Sequence, residues 1–222
     1  MILIPFEMVS IRYKITLITI TDLVNTVVIR YHLLFTASAT MSLFDIIERL
    51  ANLQLHTFTA VPAFRNLPPV QIRALYYLFR CNHYSNSPGA VTEYLGLTKG
   101  TVSQSLRKLE EQGFITRESD VKDKRKVKLY LSARTQEALE EAMRHEGIVQ
   151  AERSLPDGGL DLEQQLKQIL RIVQQNEGVR LFGVCQHCRF HQQKNGFPFC
   201  ELTNEAIPPE NTTLICREFE ER

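Results

Sequence analysis

The chain has 222 residues, 44% of them hydrophobic, and a formal net charge of +1. That length suits a medium domain plus an accessory module, and the apolar content is enough for an ordinary core. The near-balanced charge excludes a uniformly basic nucleic-acid coat, so any such footprint must be local.

Residues 1–40 differ in pattern from the rest of the chain. Ile15 to Thr21 alternates like a strand, with no partner strand nearby. Arg12, Lys14, Asp22 and Arg30 break the stretch as a membrane span, and no apolar run approaches the ~18 residues needed to cross a bilayer. A basic start followed by an apolar core is missing, so it makes a poor signal peptide. Regular patterning begins at Met41. We expect Met41 to be the natural start and 1–40 an upstream leader; a genuine partner-binding extension is the alternative.

Ser42 is placed to cap a helix whose Leu43, Ile46, Ile47, Leu50 and Leu53 repeat at helical spacing. Leu67-Pro68-Pro69 opens a second helix through about Phe79, with Val70, Ile72, Leu75, Leu78 and Phe79 as its apolar set. Cys81 comes next, read as a small buried filler rather than a redox-sensing thiol. Asn82 to Pro88 is a polar loop.

Ser87-Pro88 starts a short helix, because Ser caps and Pro suits the first helical position. Leu95-Gly96-Leu97 closes it with a tight turn. Thr98 caps the next helix, through Gln112, on which Val102, Leu106 and Leu109 share one face. Its remaining surface holds Thr98, Lys99, Gly100, Thr101, Ser103, Gln104 and Arg107, all small, polar or basic. Two helices joined by a Gly turn, the second with a polar outer face, form the helix-turn-helix pattern. Gly113 ends the second helix. Phe114 to Arg117 then reads as a strand, and Val127 to Leu131 as its return. Lys122, Lys124, Arg125 and Lys126 crowd the loop between them, opposed only by Asp120 and Asp123. A tip this basic beside a helix-turn-helix suits a wing that grips DNA phosphates.

These residues resemble the MarR family of bacterial transcription regulators. The resemblance lies in Leu97 to Gln104, Leu109 to Ile115 and Asp120 to Arg125, where Asp123-Lys124-Arg125 matches the family's D-x-R wing signature. It covers about Ser42 to Asn176. It implies a dimeric winged-helix repressor or activator, with a pocket for a small effector between the dimer helices and the DNA-binding lobe. Gln104 departs from the pattern, since many members carry Arg there. The departure bears on base preference, not on DNA binding.

Beyond the wing, Ser132 caps a helix from Ala133 to about Val149, with Leu139, Ala142 and Met143 as its stripe. Leu155-Pro156-Asp157-Gly158-Gly159 breaks the chain. Leu162, Leu166, Ile169, Leu170 and Val173 then mark an amphipathic helix through about Asn176. So much apolar face outside a small winged domain predicts a symmetric helical dimer interface, formed with the first helix.

From Phe182 the composition changes. Four of the five cysteines lie in the last 38 residues. Cys185 and Cys188 form a C-x-x-C pair, Cys200 follows after eleven residues and Cys216 after fifteen more. A C-x-x-C turn aims two thiolates at one point, and two later thiolates complete a tetrahedron. A cytosolic DNA binder keeps thiols reduced, which favours metal over disulfides. A tail of about 40 residues with few apolar side chains rarely folds without a staple. Zinc in a mainly structural role is the first expectation and an iron–sulfur cluster the alternative. His187 and His191 are near enough to ligate, but four Cys suffice. A Gly-Val-Cys-x-x-Cys tail is similar to one carried by a subset of MarR-like regulators.

The expected fold is mainly α (α+β): a winged helix-turn-helix with a helical dimerisation region in 41–180 and a small Cys-rich metal module in 181–222. The expected function is transcriptional regulation by a cytoplasmic homodimer on a palindromic double-stranded operator, with repression the first expectation and no membrane partner. The rivals are a thiol-based or iron–sulfur redox regulator, a winged protein-interaction module without DNA binding, and a metal enzyme. Four thiolates would leave a zinc no open position for catalysis, so no enzyme is expected.

Overall fold

The computed structural model describes residues 41–119, 123, 125–144 and 147–222. The leader 1–40, and the wing residues Asp120, Lys122 and Lys124, lie outside the described residues. The chain divides into two compact units, Met1–Ala51 and Asn52–Arg222.

Helix α1 spans Leu43–Ala60. Ser42 and Asp45 cap it reciprocally: Ser42 Oγ accepts from Asp45 N–H at 3.2 Å, and the Asp45 carboxylate accepts from Ser42 N–H at 2.9 Å. This is a capping box with a shorter acid, and the bonds from Ser42 hold the Asp45 carboxyl below its usual range. In the first unit Leu43, Ile46, Ile47 and Leu50 are exposed.

The second unit contains the buried core. Helix α2 (Pro69–Arg80) has Pro in its first turn and buries Ile72, Ala74, Leu75, Tyr77 and Leu78. Helix α3 (Pro88–Leu95) starts where Ser87 Oγ accepts from Ala90 N–H at 3.2 Å. It stops at Gly96, whose φ of +62° lies in the left-handed region that glycine adopts at no steric cost. Helix α4 (Lys99–Glu111) is capped by Thr98 Oγ1, which accepts from Thr101 N–H at 3.2 Å. Strands β1 (Ile115–Ser119) and β2 (Val127–Leu131) pair antiparallel, Ile115 opposite Leu131 and Ser119 opposite Val127. Val102, Leu106, Leu109, Ile115, Leu129 and Leu139 are almost wholly buried together with Phe64 and Leu75. Each such side chain stabilises the fold by about 1.5–3 kcal/mol over its exposed state. The core therefore sits under α4 and fixes which face of α4 looks outward.

Helix α5 spans Ala133–Arg144 and α6 spans Gly147–Arg153. The sequence predicts one helix ending near Val149; helix is described over Ala133–Arg144 and again over Gly147–Arg153, so it runs past Val149. The stop comes just before Pro156, which disfavours helical geometry at Leu155. Helix α7 (Leu160–Asn176) is launched by Asp157, whose carboxylate accepts from Asp161 N–H at 2.7 Å and Gly159 N–H at 3.0 Å.

The tail is a set of short strands. β3 (Gly183–Val184) pairs with β7 (Ile215–Cys216). β4 (His191–Lys194), β5 (Phe197–Cys200) and β6 (Glu205–Ala206) make a small antiparallel sheet. Asn195 and Gly196 both have positive φ, +52° and +81°, as a two-residue hairpin turn requires. The tail joins the winged part by backbone: Cys81 bridges Ile215 in parallel, and Asn82 N–H donates to Ile215 O at 2.9 Å. Phe182 meets Tyr77 and Tyr94 edge-on, with ring centroids 6.0 and 5.2 Å apart.

Candidate nucleic-acid interface and thiol pocket

Helix α4 presents two chemically different faces. Val102, Ser105, Leu106 and Leu109 are buried, whereas Thr98, Lys99, Gly100, Thr101, Ser103, Gln104 and Arg107 are exposed. Arg107 pairs with Glu111 one turn on, at 3.1 Å, and Glu110 pairs with Arg117 of β1 at 2.7 Å. Both acids at the end of α4 are thus matched by Arg, which leaves its first turns without an opposing negative charge of their own. Thr98 and Thr101 hydroxyls bond each other at 2.9 Å, so the first turn is held rigid.

At the described part of the wing, Asp123 Oδ1 accepts from both the backbone N–H and the Nε–H of Arg125, each at 3.1 Å. The Arg125 side chain is nonetheless 91% exposed. Asp123 therefore aims Arg125 outward without covering it. Lys126 is exposed, and its N–H donates to Asp123 O at 2.8 Å. Lys122 and Lys124 lie outside the described residues.

The four tail cysteines line a single pocket, closed by His191, Phe190, Leu202 and Ile207 from the tail and by Asn82 and Tyr84 from the loop after α2. All are free thiols; Cys185, Cys188 and Cys216 are buried and Cys200 is half-buried. Burial, then the neighbouring sulfurs of Cys216, Cys200 and Cys188, push the Cys185 thiol up to about 12. Burial likewise raises Cys216, against which hydrogen bonding from Asn82 and Ser85 works. His191 Nδ1 lies 3.8 Å from Cys185 Sγ, and burial lowers the pKa of its imidazole. Among the described residues, no three His, Cys, Asp or Glu side chains are already arranged to hold a metal ion. The sulfurs converge on one pocket without forming a finished tetrahedron.

Gly183 shows why glycine precedes the first pair. A Cβ there would meet the Phe219 ring at 2.6 Å. Phe219 can close over β3 only because that side chain is missing. Cys81 is buried and pushed up to about 12 by that burial; a neutral, enclosed thiol fits the filler reading.

Several residues that sequence reasoning misses lie around this pocket. The Asn82 side chain is 1% exposed. Its Oδ1 accepts from Ser85 Oγ–H at 2.8 Å and Tyr84 N–H at 3.2 Å, while its Nδ2 faces the Cys216 sulfur. Ser85 Oγ in turn accepts from Arg217 N–H at 2.8 Å. The Arg217 guanidinium grips both carboxylate oxygens of Glu93 on α3, at 2.6 and 2.8 Å, and these bonds hold Glu93 below its usual range. Arg180 adds a further bond to Glu93 at 3.2 Å. The only sequence signal for this set is adjacency, Arg217 coming directly after Cys216.

Comparison with known proteins bears on the first of the two sites. Residues 65–126 match the model of the MarR family. The HTH-type transcriptional repressor YetL of Bacillus subtilis (strain 168) is 30% identical over 101 residues, or 46% of this chain. The chain spans 58% of that relative's length. The solved structure of MarR is 17% identical, covers 64% of this chain and 97% of its own, and superposes with a TM-score of 0.50. That of the regulator SlyA is 18% identical, covers 61% of this chain and 96% of its own, with a TM-score of 0.49. Among the described residues no helix is long and apolar enough to cross a membrane. Residues 65–126 thus match the MarR family model, and the likeness to the solved MarR structure is one of fold, a winged helix in a mainly α (α+β) chain.

Proposed function

We propose that the chain is a transcriptional regulator that binds double-stranded DNA as a cytoplasmic homodimer. The observation that carries this reading is the exposed polar face of α4, fixed outward by a fully buried opposite face and flanked by the outward-aimed Arg125. Thr98, Lys99, Gly100, Thr101, Ser103, Gln104 and Arg107 would lie in the major groove. Lys122, Lys124, Arg125 and Lys126 would hold flanking phosphates. Asp123 orients Arg125 and would itself be repelled by phosphate.

The dimer is supported by apolar side chains left in solvent. On α1 these are Leu43, Ile46, Ile47, Leu50 and Leu53; on α7 they are Leu162, Leu166, Leu170, Ile172 and Val173. Two-fold symmetry would make the operator palindromic, and repression is the expected sign. The test is enrichment of duplexes from random-sequence DNA by the purified full-length chain. A palindromic motif is expected; no enrichment over input would refute the regulator reading.

Residues 181–222 are proposed as a metal module. Cys185, Cys188, Cys200 and Cys216 would ligate one zinc per subunit, with an iron–sulfur cluster as the alternative for the same donors. Two observations support a cation here: four thiols around one pocket, and a buried amide in its wall, Asn82, whose donor faces the Cys216 sulfur. Neutral thiols are poor acceptors, whereas metal-bound thiolates are good ones. Binding would exchange thiol protons for the metal. Metal analysis should find one colourless zinc per subunit. Visible absorption with iron would move the reading to a cluster, and a metal-free protein with a protease-resistant tail would end it.

A further inference from the structure

We propose that the thiol pocket is a regulatory zinc site for the DNA-binding helices, read by Asn82 and relayed through Ser85 and Arg217 to Glu93 on α3. The proposal rests on the DNA and metal readings and adds regulation to them.

The relay begins at Asn82. One bond to its Oδ1 comes from the Tyr84 backbone N–H, a donor that cannot reverse role, and the other from Ser85 Oγ. The amide therefore turns its buried Nδ2 toward the pocket, onto the sulfur of Cys216. A metal-bound sulfur at Cys216 would be a better acceptor for this amide than a thiol is. Asn82 is thus a positioning residue outside the thiol ligands, of the kind that orients a metal site.

The next residue carries the state outward. Arg217 adjoins Cys216 directly, and its N–H is tied to the same Ser85 hydroxyl that binds Asn82. Its guanidinium holds Glu93 by a two-pronged pair, the geometry that fixes a carboxylate most firmly. Glu93 lies on α3, just before the Gly96 turn into α4. Fixing Cys216 on a metal fixes Arg217, which fixes α3 and with it the pose of α4. Without a metal, Cys216 would lack that anchor, and Arg217 would be held only by its bonds to Ser85 and Glu93.

The experiment compares the full-length chain loaded with Zn(II) and stripped with EDTA, by fluorescence anisotropy on the duplex most enriched by the loaded protein. For the wild type, stripping should weaken binding roughly tenfold, within the 5–150-fold span of typical couplings. Arg217→Ala should still bind one zinc, yet its DNA affinity should be nearly the same loaded and stripped. Asn82→Ala should bind zinc about 10–100-fold more weakly. Because Asn82 is buried and its variant could unfold, Arg217→Ala, at a partly exposed site outside the pocket, carries the decision. Equal wild-type affinities in the two states, with zinc bound, would overturn the regulation and leave the metal reading intact. Equal sensitivity in Arg217→Ala would overturn the relay. Failure to bind zinc would remove the metal reading and the proposal together, and failure to enrich any duplex would remove the DNA reading.

Discussion

The winged part and the cysteine tail are held together by different physics, though both lie in Asn52–Arg222. Under α4 the fully buried side chains are Phe64, Leu75, Leu106, Leu109 and Leu139, and their contacts need no partner beyond one another. In the tail the buried positions are Cys185, Cys188, Cys216, His191 and Ile207, mostly groups that bind ions rather than pack. The first region can fold on burial alone; the second is short of apolar atoms and calls for a staple. On the proposals above, that contrast would let one region present a rigid reading face while the other responds to its metal.

The comparison can be broken most forcefully in the core. Leu106→Ala should cost about 2–5 kcal/mol, because the leucine is wholly enclosed. Denaturant unfolding of the full chain would measure it, and a loss under about 1 kcal/mol would mean that the apolar core is not what holds the winged part. In the tail, Gly183→Ala should cost about 1–3 kcal/mol by driving a Cβ into the Phe219 ring. It should raise proteolysis of the tail more than that of the winged part. Gln104→Ala is expected to leave the fold alone and relax preference at one base pair per half-site, at about 1–3 kcal/mol there; an unchanged binding profile would remove Gln104 from the reading face. Thr98→Ala should cost about 1 kcal/mol through loss of the cap of α4, seen as a small shift in the same unfolding curve.

The winged part is legible in the sequence because its signals are local. Ser87 and Thr98 cap where their residue types predict a cap, and Val102, Leu106 and Leu109 share the buried face that their spacing predicts. The exposure of Gln104 and Ser103 stems from that same period. Helix α6 is not legible, since weak periodicity after Met143 says little about where a helix stops. In the tail, the grouping of the four cysteines in one pocket agrees with their spacing. Asn82 in the wall of that pocket, and Ser85 and Glu93 bonded behind it, are not legible. Arg217 reaches Ser85 across 132 positions and Glu93 across 124, and no periodicity reports contacts at that range. Buried polar partners are chosen by the folded surroundings, not by their neighbours in the chain.

Whether α4 and the wing grip DNA is tested most directly at Arg125. The measurement is the dependence of operator affinity on salt concentration, for the wild-type chain and for Arg125→Ala. The variant should bind operator and random duplex alike more weakly, with a salt slope smaller by roughly one phosphate contact. An Arg125→Ala chain that binds both duplexes as the wild type does, with the same slope, would contradict a DNA-gripping wing.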